Sequence, residues 1–232
     1  MQVPTRLPAH IVSDCSLVYL HGFASSPRSS KARFFASRAE AAGIACVCPD
    51  LNHPDFRSLT VSRMLDQIDA AIDALPDGRV GLVGSSLGAF AAVHSADRRA
   101  RRALRPVDRL VLLAPAFNLV SSLAEEFGAE RMQAWERTDQ LDVFHYAEGT
   151  TLPLAWEFMA DARRYDAFAV SLETPTLIYQ GSHDEVVSPD RVRQWASARP
   201  WVILREVDDG HQLLEHLEPM WSDAARFLEV AP

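Results

Sequence analysis

The chain has 232 residues, with 23 Lys+Arg against 31 Asp+Glu, a formal charge of −8, and 48% hydrophobic residues. These proportions are those of a globular protein and exclude intrinsic disorder and collagen-like architecture. The acidic balance speaks against a nucleic-acid partner. The longest mostly apolar stretch, Leu110 to Val120 with Pro115 and Asn118 inside it, is well short of the ~20 residues a membrane span needs.

The length suits one hydrophobic core, so residues 1–232 are expected to form a single domain. Cys15, Cys46 and Cys48 are too few, and odd in number, for a disulfide framework. The N-terminal stretch lacks a basic segment followed by an apolar one, which gives a cytoplasmic location as the expectation. Arg98, Arg99, Arg101, Arg102 and Arg105 form a basic cluster, read as a helix end and a solvated loop.

In chain order, short apolar runs alternate with helix-patterned segments. Strands are expected at Leu17–Leu20, Ile44–Val47, Val80–Val83, Leu110–Leu113, Thr176–Tyr179 and Val202–Val207. Helices are expected at Ser29–Ala42, Leu59–Leu75, Ser86–Ala96, Pro189–Ala198 and Pro219–Leu228. Gly43 stops the first of these. Val61, Met64, Leu65, Ile68, Ala71, Ile72 and Leu75 give the second a 3.6-residue period. Such alternation predicts an α/β fold with a mostly parallel sheet of about six strands, flanked by helices. Residues 115–175 break the rhythm: about sixty residues without a convincing strand are too many for a bare loop and predict a helical cap insertion.

Gly84-Ser85-Ser86-Leu87-Gly88 lies between a strand and a helix. This is G-x-S-x-G in the strand–turn–helix context of a nucleophile elbow. Small residues at both glycine positions let strand and helix approach, and the strained turn exposes the Ser86 hydroxyl. A serine hydroxyl needs a general base that is itself oriented by a third group. The loop after Thr176–Tyr179 supplies Asp184, and the loop after Val202–Val207 supplies His211. The chain order Ser86, Asp184, His211 is the serine–acid–histidine order of this fold. Glu185 is the competitor for the acid. His183 and His216 read as loop residues, and His10, His53, His94 and His145 have no partner at useful spacing. Asp208 and Asp209 read as shaping the turn before His211.

The oxyanion donors expected are the backbone N–H groups of Leu87, at the helix start, and of Phe23, after Tyr19-Leu20-His21-Gly22. His21 reads as a structural residue of that loop. No dinucleotide, P-loop or zinc motif is present, so neither cofactor nor metal is expected. Trp135 and Trp156, in the cap, are the candidates to line an acyl pocket.

These features resemble the α/β-hydrolase superfamily over roughly residues 15–230. Tyr19-Leu20-His21-Gly22-Phe23-Ala24-Ser25-Ser26-Pro27, with Ser29, Lys31-Ala32 and the elbow Val83–Gly88, is similar to the YqiA-like bacterial esterases. The resemblance is specific in the first ninety residues and looser afterwards, where 115–175 departs from the family. It implies a small cytoplasmic carboxylesterase or thioesterase with Ser86 as nucleophile, Asp184 as acid, His211 as base, and Phe23 and Leu87 as oxyanion donors.

The expectation is a serine-dependent carboxylesterase acting on a small acyl ester of short or medium chain, without nucleic acid or membrane. A thioesterase or a C–C bond hydrolase would use the same residues. From another class, a non-catalytic ligand-binding protein on this fold would usually lack a triad member. Nothing in the sequence sets the oligomeric state.

Overall fold

The structure is a computed structural model and describes residues 14–230; His10 lies outside them. In chain order the elements are β1 (Cys15–Leu20), α1 (Ser30–Ala41), β2 (Ala45–Val47), α2 (Val61–Asp73), β3 (Arg79–Ser85), α3 (Leu87–Arg101), β4 (Arg109–Leu113) and α4 (Leu119–Thr138). There follow β5 (Leu141–His145), β6 (Thr150–Leu154), α5 (Glu157–Ala162), β7 (Thr176–Gly181), α6 (Pro189–Ser197), β8 (Val202–Val207), a 3-10 turn (Leu214–His216) and α7 (Leu217–Phe227).

Six strands form one sheet in the order β2-β1-β3-β4-β7-β8, and every pair is parallel. Strands β1 and β7 are buried along their whole length, as expected of largely apolar inner strands in a sheet covered on both faces. One face packs on α2, α3 and α6 through residues such as Leu65, Ile68, Phe90 and Trp195. The other packs on α1 and α7 through Phe35, Met220 and Trp221. Side-chain caps start two of the helices: Ser29 accepts from the Ala32 N–H and Thr60 from the Arg63 N–H. Because all strands are parallel, their C-terminal ends share one edge, where the loops carrying the expected site residues converge.

The basic cluster does more than decorate a solvated loop. Arg99 is fully buried and pairs with Asp69 at 2.9 Å and Asp73 at 2.6 Å, both on α2. Arg105 donates to the carbonyls of Ile72, Leu75, Pro76 and Gly78, capping the end of α2 and the turn after it. Arginines on α3 and just beyond it therefore lock α2 to α3.

The segment 115–175 is a mixed cap. Besides α4, which Gly128 breaks at φ 72°, and the short α5, it holds the antiparallel hairpin β5–β6. Both strands of a hairpin are edges, so Pro153 in β6 is tolerated there although it interrupts the strand pattern in the sequence. Among the described residues no helix is long and apolar enough to cross a membrane.

Candidate active site

Ser86 sits between β3 and α3 with φ 54° and ψ −115°, a conformation an L-residue adopts only under constraint. The constraint is visible on both sides. A Cβ at Gly84 would stand 2.6 Å from Ala89 Cα, and one at Gly88 would stand 2.1 Å from the Leu20 carbonyl oxygen. The two glycines thus let α3 press against β3 and the end of β1. The Ser86 N–H donates to the Leu113 carbonyl at 2.9 Å, and the Ala114 N–H continues the ladder to Tyr179 at 2.8 Å. At the far side the Ser182 N–H donates to Val207 at 2.9 Å. These bonds tie the elbow, the acid loop and the histidine loop to one edge.

Asp184 is buried, and its carboxylate faces the His211 ring, with Nδ1 2.9 Å from Oδ2 and 3.1 Å from Oδ1. The contact exists because Gly181 has no side chain: a Cβ there would meet the Asp209 and Gly210 carbonyls at 2.4 and 2.5 Å. The N–H groups of Val186 and Val187 donate to Asp184 Oδ1 at 2.9 and 2.8 Å. Burial pushes the Asp184 carboxyl up, but the His211 hydrogen bond and these two N–H groups outweigh it and hold it below the usual carboxylate range. Glu185 is exposed. The Asp184–His211 pair orients the imidazole with its proton on Nδ1, leaving Nε2 available as a base.

Asp209 secures the histidine loop. It accepts from the Gly210 N–H at 2.7 Å, the Glu215 N–H at 3.2 Å and the His216 ring at 3.1 Å. His183 is exposed and pairs with Asp208 at 2.8 Å.

The loop after β1 passes close to the elbow, since a Cβ at Gly22 would lie 3.4 Å from Ser86 Cβ. His21 holds that loop: its Nε2 accepts from the Leu51 N–H and its Nδ1 donates to the Gly22 carbonyl, both at 3.0 Å. The Phe23 ring packs on Phe56 and Phe158. The cap also reaches the loop directly, through the Tyr146 N–H bonded to the Ala24 carbonyl at 2.9 Å. Leu87 begins α3, and its N–H is among those that a helix leaves without an internal acceptor.

Two residues that sequence reasoning did not single out for the site stand beside it. Gln180 is fully buried and donates to Asp184 Oδ2 at 2.9 Å. Lys31, in the first turn of α1, is 8% exposed; burial pushes its ammonium down to about 8, opposed in part by Asp184 and Asp209. Its place in the stretch that carries the family resemblance was the available signal for it.

Trp135 lies in the cap interior, 1% exposed, with its ring N–H donating to the Leu154 carbonyl at 2.9 Å. Trp156 packs edge-on against it at 5.2 Å and carries Arg163 over its ring. Among the described residues no group of three or more His, Cys, Asp and Glu side chains is arranged to hold a metal ion.

Uncharacterised protein family UPF0227 matches residues 16–228, which take in every strand of the sheet but the first residue of β1. The chain belongs to this family. A search of the curated proteins finds no match. Among solved structures, a presumed hydrolase from Agrobacterium vitis S4 superposes with a TM-score of 0.83 at 24% identity, covering 96% of this chain and 91% of that one. The esterase Est1E of Butyrivibrio proteoclasticus, with ferulic acid bound, gives 0.77 at 20% identity, over 94% and 90%. A monoacylglycerol lipase of Paleococcus ferrophilus gives 0.70 at 17%, over 91% and 93%. At these identities the likeness shows the α/β-hydrolase fold.

Proposed function

We propose that this UPF0227 member is a serine-dependent carboxylesterase that cleaves acyl esters of short or medium chain through an acyl-enzyme. The observation that carries the reading is the His211–Asp184 pair, held at the same sheet edge as a strained Ser86 elbow. That its structural neighbours include an esterase and a lipase supports the choice of ester hydrolysis.

In this reading His211 Nε2 takes the Ser86 hydroxyl proton as Oγ attacks the ester carbonyl carbon. The Leu87 and Phe23 N–H groups stabilise the oxyanion. His211 then gives the proton to the leaving alcohol as the C–O bond breaks. Water, deprotonated by the same ring, releases the acid and restores the serine. Asp184 holds the ring's tautomer and stabilises the imidazolium. No cofactor takes part, and the protein acts in the cytoplasm as one domain.

An organophosphonate probe should label Ser86, and Ser86→Ala should lose at least about a thousandfold in kcat on p-nitrophenyl esters. Asp184→Asn should cost a factor of order 10³–10⁴, while exposed Glu185→Gln should cost less than about tenfold. Unlabelled Ser86, or a greater loss in Glu185→Gln, would overturn the assignment. Acyl thioesters in the same panel read the leaving atom, and faster thioester than ester cleavage would make the enzyme a thioesterase.

A further inference from the structure

We infer that Gln180 is a positioning residue of this site, whose side-chain amide fixes the Asp184 carboxylate in the orientation that serves His211. The inference rests on the serine-hydrolase reading above and adds a residue to it. Gln180 is fully buried near the end of β7, four residues before Asp184. Its Nε2 lies 2.9 Å from Asp184 Oδ2, 3.2 Å from the Gly181 carbonyl and 3.4 Å from the Val187 carbonyl. All three partners are acceptors, so chemistry alone requires the NH₂ end of the amide to face them. The opposite end is left buried without a partner, at Oε1.

An unpaired buried carbonyl is unfavourable, and an apolar side chain of equal size would avoid it. A glutamine used only as filler has no reason to carry that defect. What it provides is a side-chain donor on the oxygen that His211 also uses. Val186 and Val187 hold Oδ1 through the backbone, Gln180 holds Oδ2, and His211 Nδ1 spans the two, 2.9 Å from Oδ2 and 3.1 Å from Oδ1. Remove the amide, and the carboxylate loses the bond that resists its rotation. It also becomes more basic, because a donor that stabilised the anion is gone. A more basic Asp184 stabilises the His211 imidazolium more, so the active neutral ring requires a higher pH.

Other charged groups around the pair stay unchanged in such a variant. Lys31 approaches from α1 within the field of Asp184 and Asp209. Asp209 is engaged by His216, His183 is turned to Asp208, and Glu185 is exposed. A displaced pH profile is therefore attributable to Gln180.

The test is the pH dependence of kcat/KM on a p-nitrophenyl ester for wild type, Gln180→Met and Gln180→Asn. Met keeps the length and removes the donor; Asn keeps an amide that no longer reaches Oδ2. Both should lose about 10- to 100-fold in kcat, the worth of a hydrogen bond to a charged group. KM should change little, and the acid limb should move to higher pH. Phosphonate labelling of wild-type Ser86 accompanies the measurement, so a wild type that is not labelled sinks the hydrolase reading itself. A labelled wild type whose folded variants keep its acid limb and kcat sinks the role of Gln180 alone. Should Gln180→Met fail to fold, Gln180→Asn alone decides by the same two readings.

Discussion

Lys31 illustrates how one buried charge sets a pH dependence. Its ammonium has an ordinary value of 10.5 and is pushed down to about 8 by burial, with Asp184 and Asp209 pulling the other way. Between those two values the unfolded chain binds more protons than the native one, so stability rises with pH across that window. Below about 8 the cost of burying the charge is present in full. Lys31→Met keeps the stem and removes the charge, and should stabilise the fold near neutral pH by on the order of 3 kcal/mol. The advantage should close as pH climbs towards the unfolded value. Scanning calorimetry at neutral and alkaline pH reads both. A variant that melts earlier than wild type near neutrality would mean that the two aspartates more than offset the burial. Ser86 makes the complementary point, since its strained φ persists only because Gly84 and Gly88 allow two close backbone approaches.

Helix α3 carries the elbow at its start and an unusual polar interior along its length. His94 is 6% exposed, stacked edge-on against Phe90 and Tyr165, and its Nε2 has no partner. Burial pushes its ring down to about 4 from 6.5; Asp166 opposes the shift and Arg101 adds to it. The unfolded state then binds more protons between those values, and stability is lost as pH falls through the window. His94→Phe should flatten the loss, so that its melting temperature drops less than wild type between neutral pH and pH 5. An identical drop in both proteins would show that His94 does not govern the acid limb of stability. The same helix is fastened to α2 by Arg99, whose pairs with Asp69 and Asp73 replace the water it gives up on burial.

At the scale of the whole molecule, the cap is joined to the sheet by polar as well as apolar contacts. Asp161 on α5 accepts from the Ser62 N–H at 2.7 Å and hydroxyl at 2.6 Å, capping α2 from another element. The Trp195 ring N–H reaches the Ala167 carbonyl at 2.8 Å, and Tyr146 reaches the loop bearing Phe23. Trp135 fills the cap's own interior. Trp135→Ala should therefore cost about 3–5 kcal/mol, as other buried Trp truncations do. Its activity loss should be equal across acyl lengths. A change in chain-length preference without a lower melting temperature would instead give the indole a place on the pocket wall.

The helices outside residues 115–175, the six parallel strands and the strand–turn–helix setting of Ser86 were legible in the sequence because each rests on local physics. Apolar runs bury in a two-sided sheet, the 3.6 period makes an apolar helix face, and Gly43 marks a helix end; the Ser29 and Thr60 caps show only in the structure. The order of Ser86, Asp184 and His211 followed from the connection rules of the fold. Tertiary structure decided what neighbouring residues of like chemistry do. Asp184 and Glu185 are adjacent carboxylates, and only the curl of the Val186 and Val187 N–H groups turns one inward while the other faces water. The hairpin β5–β6 was hidden because pairing is non-local and each strand is five residues long, with Asp142 or Pro153 inside it. In the sequence Gln180 reads as the first residue of a loop, Lys31 as part of a helix and Arg99 as one of a basic cluster at a helix end. Their roles arise from what the fold lays beside them: a carboxylate, a histidine loop and the acidic face of another helix.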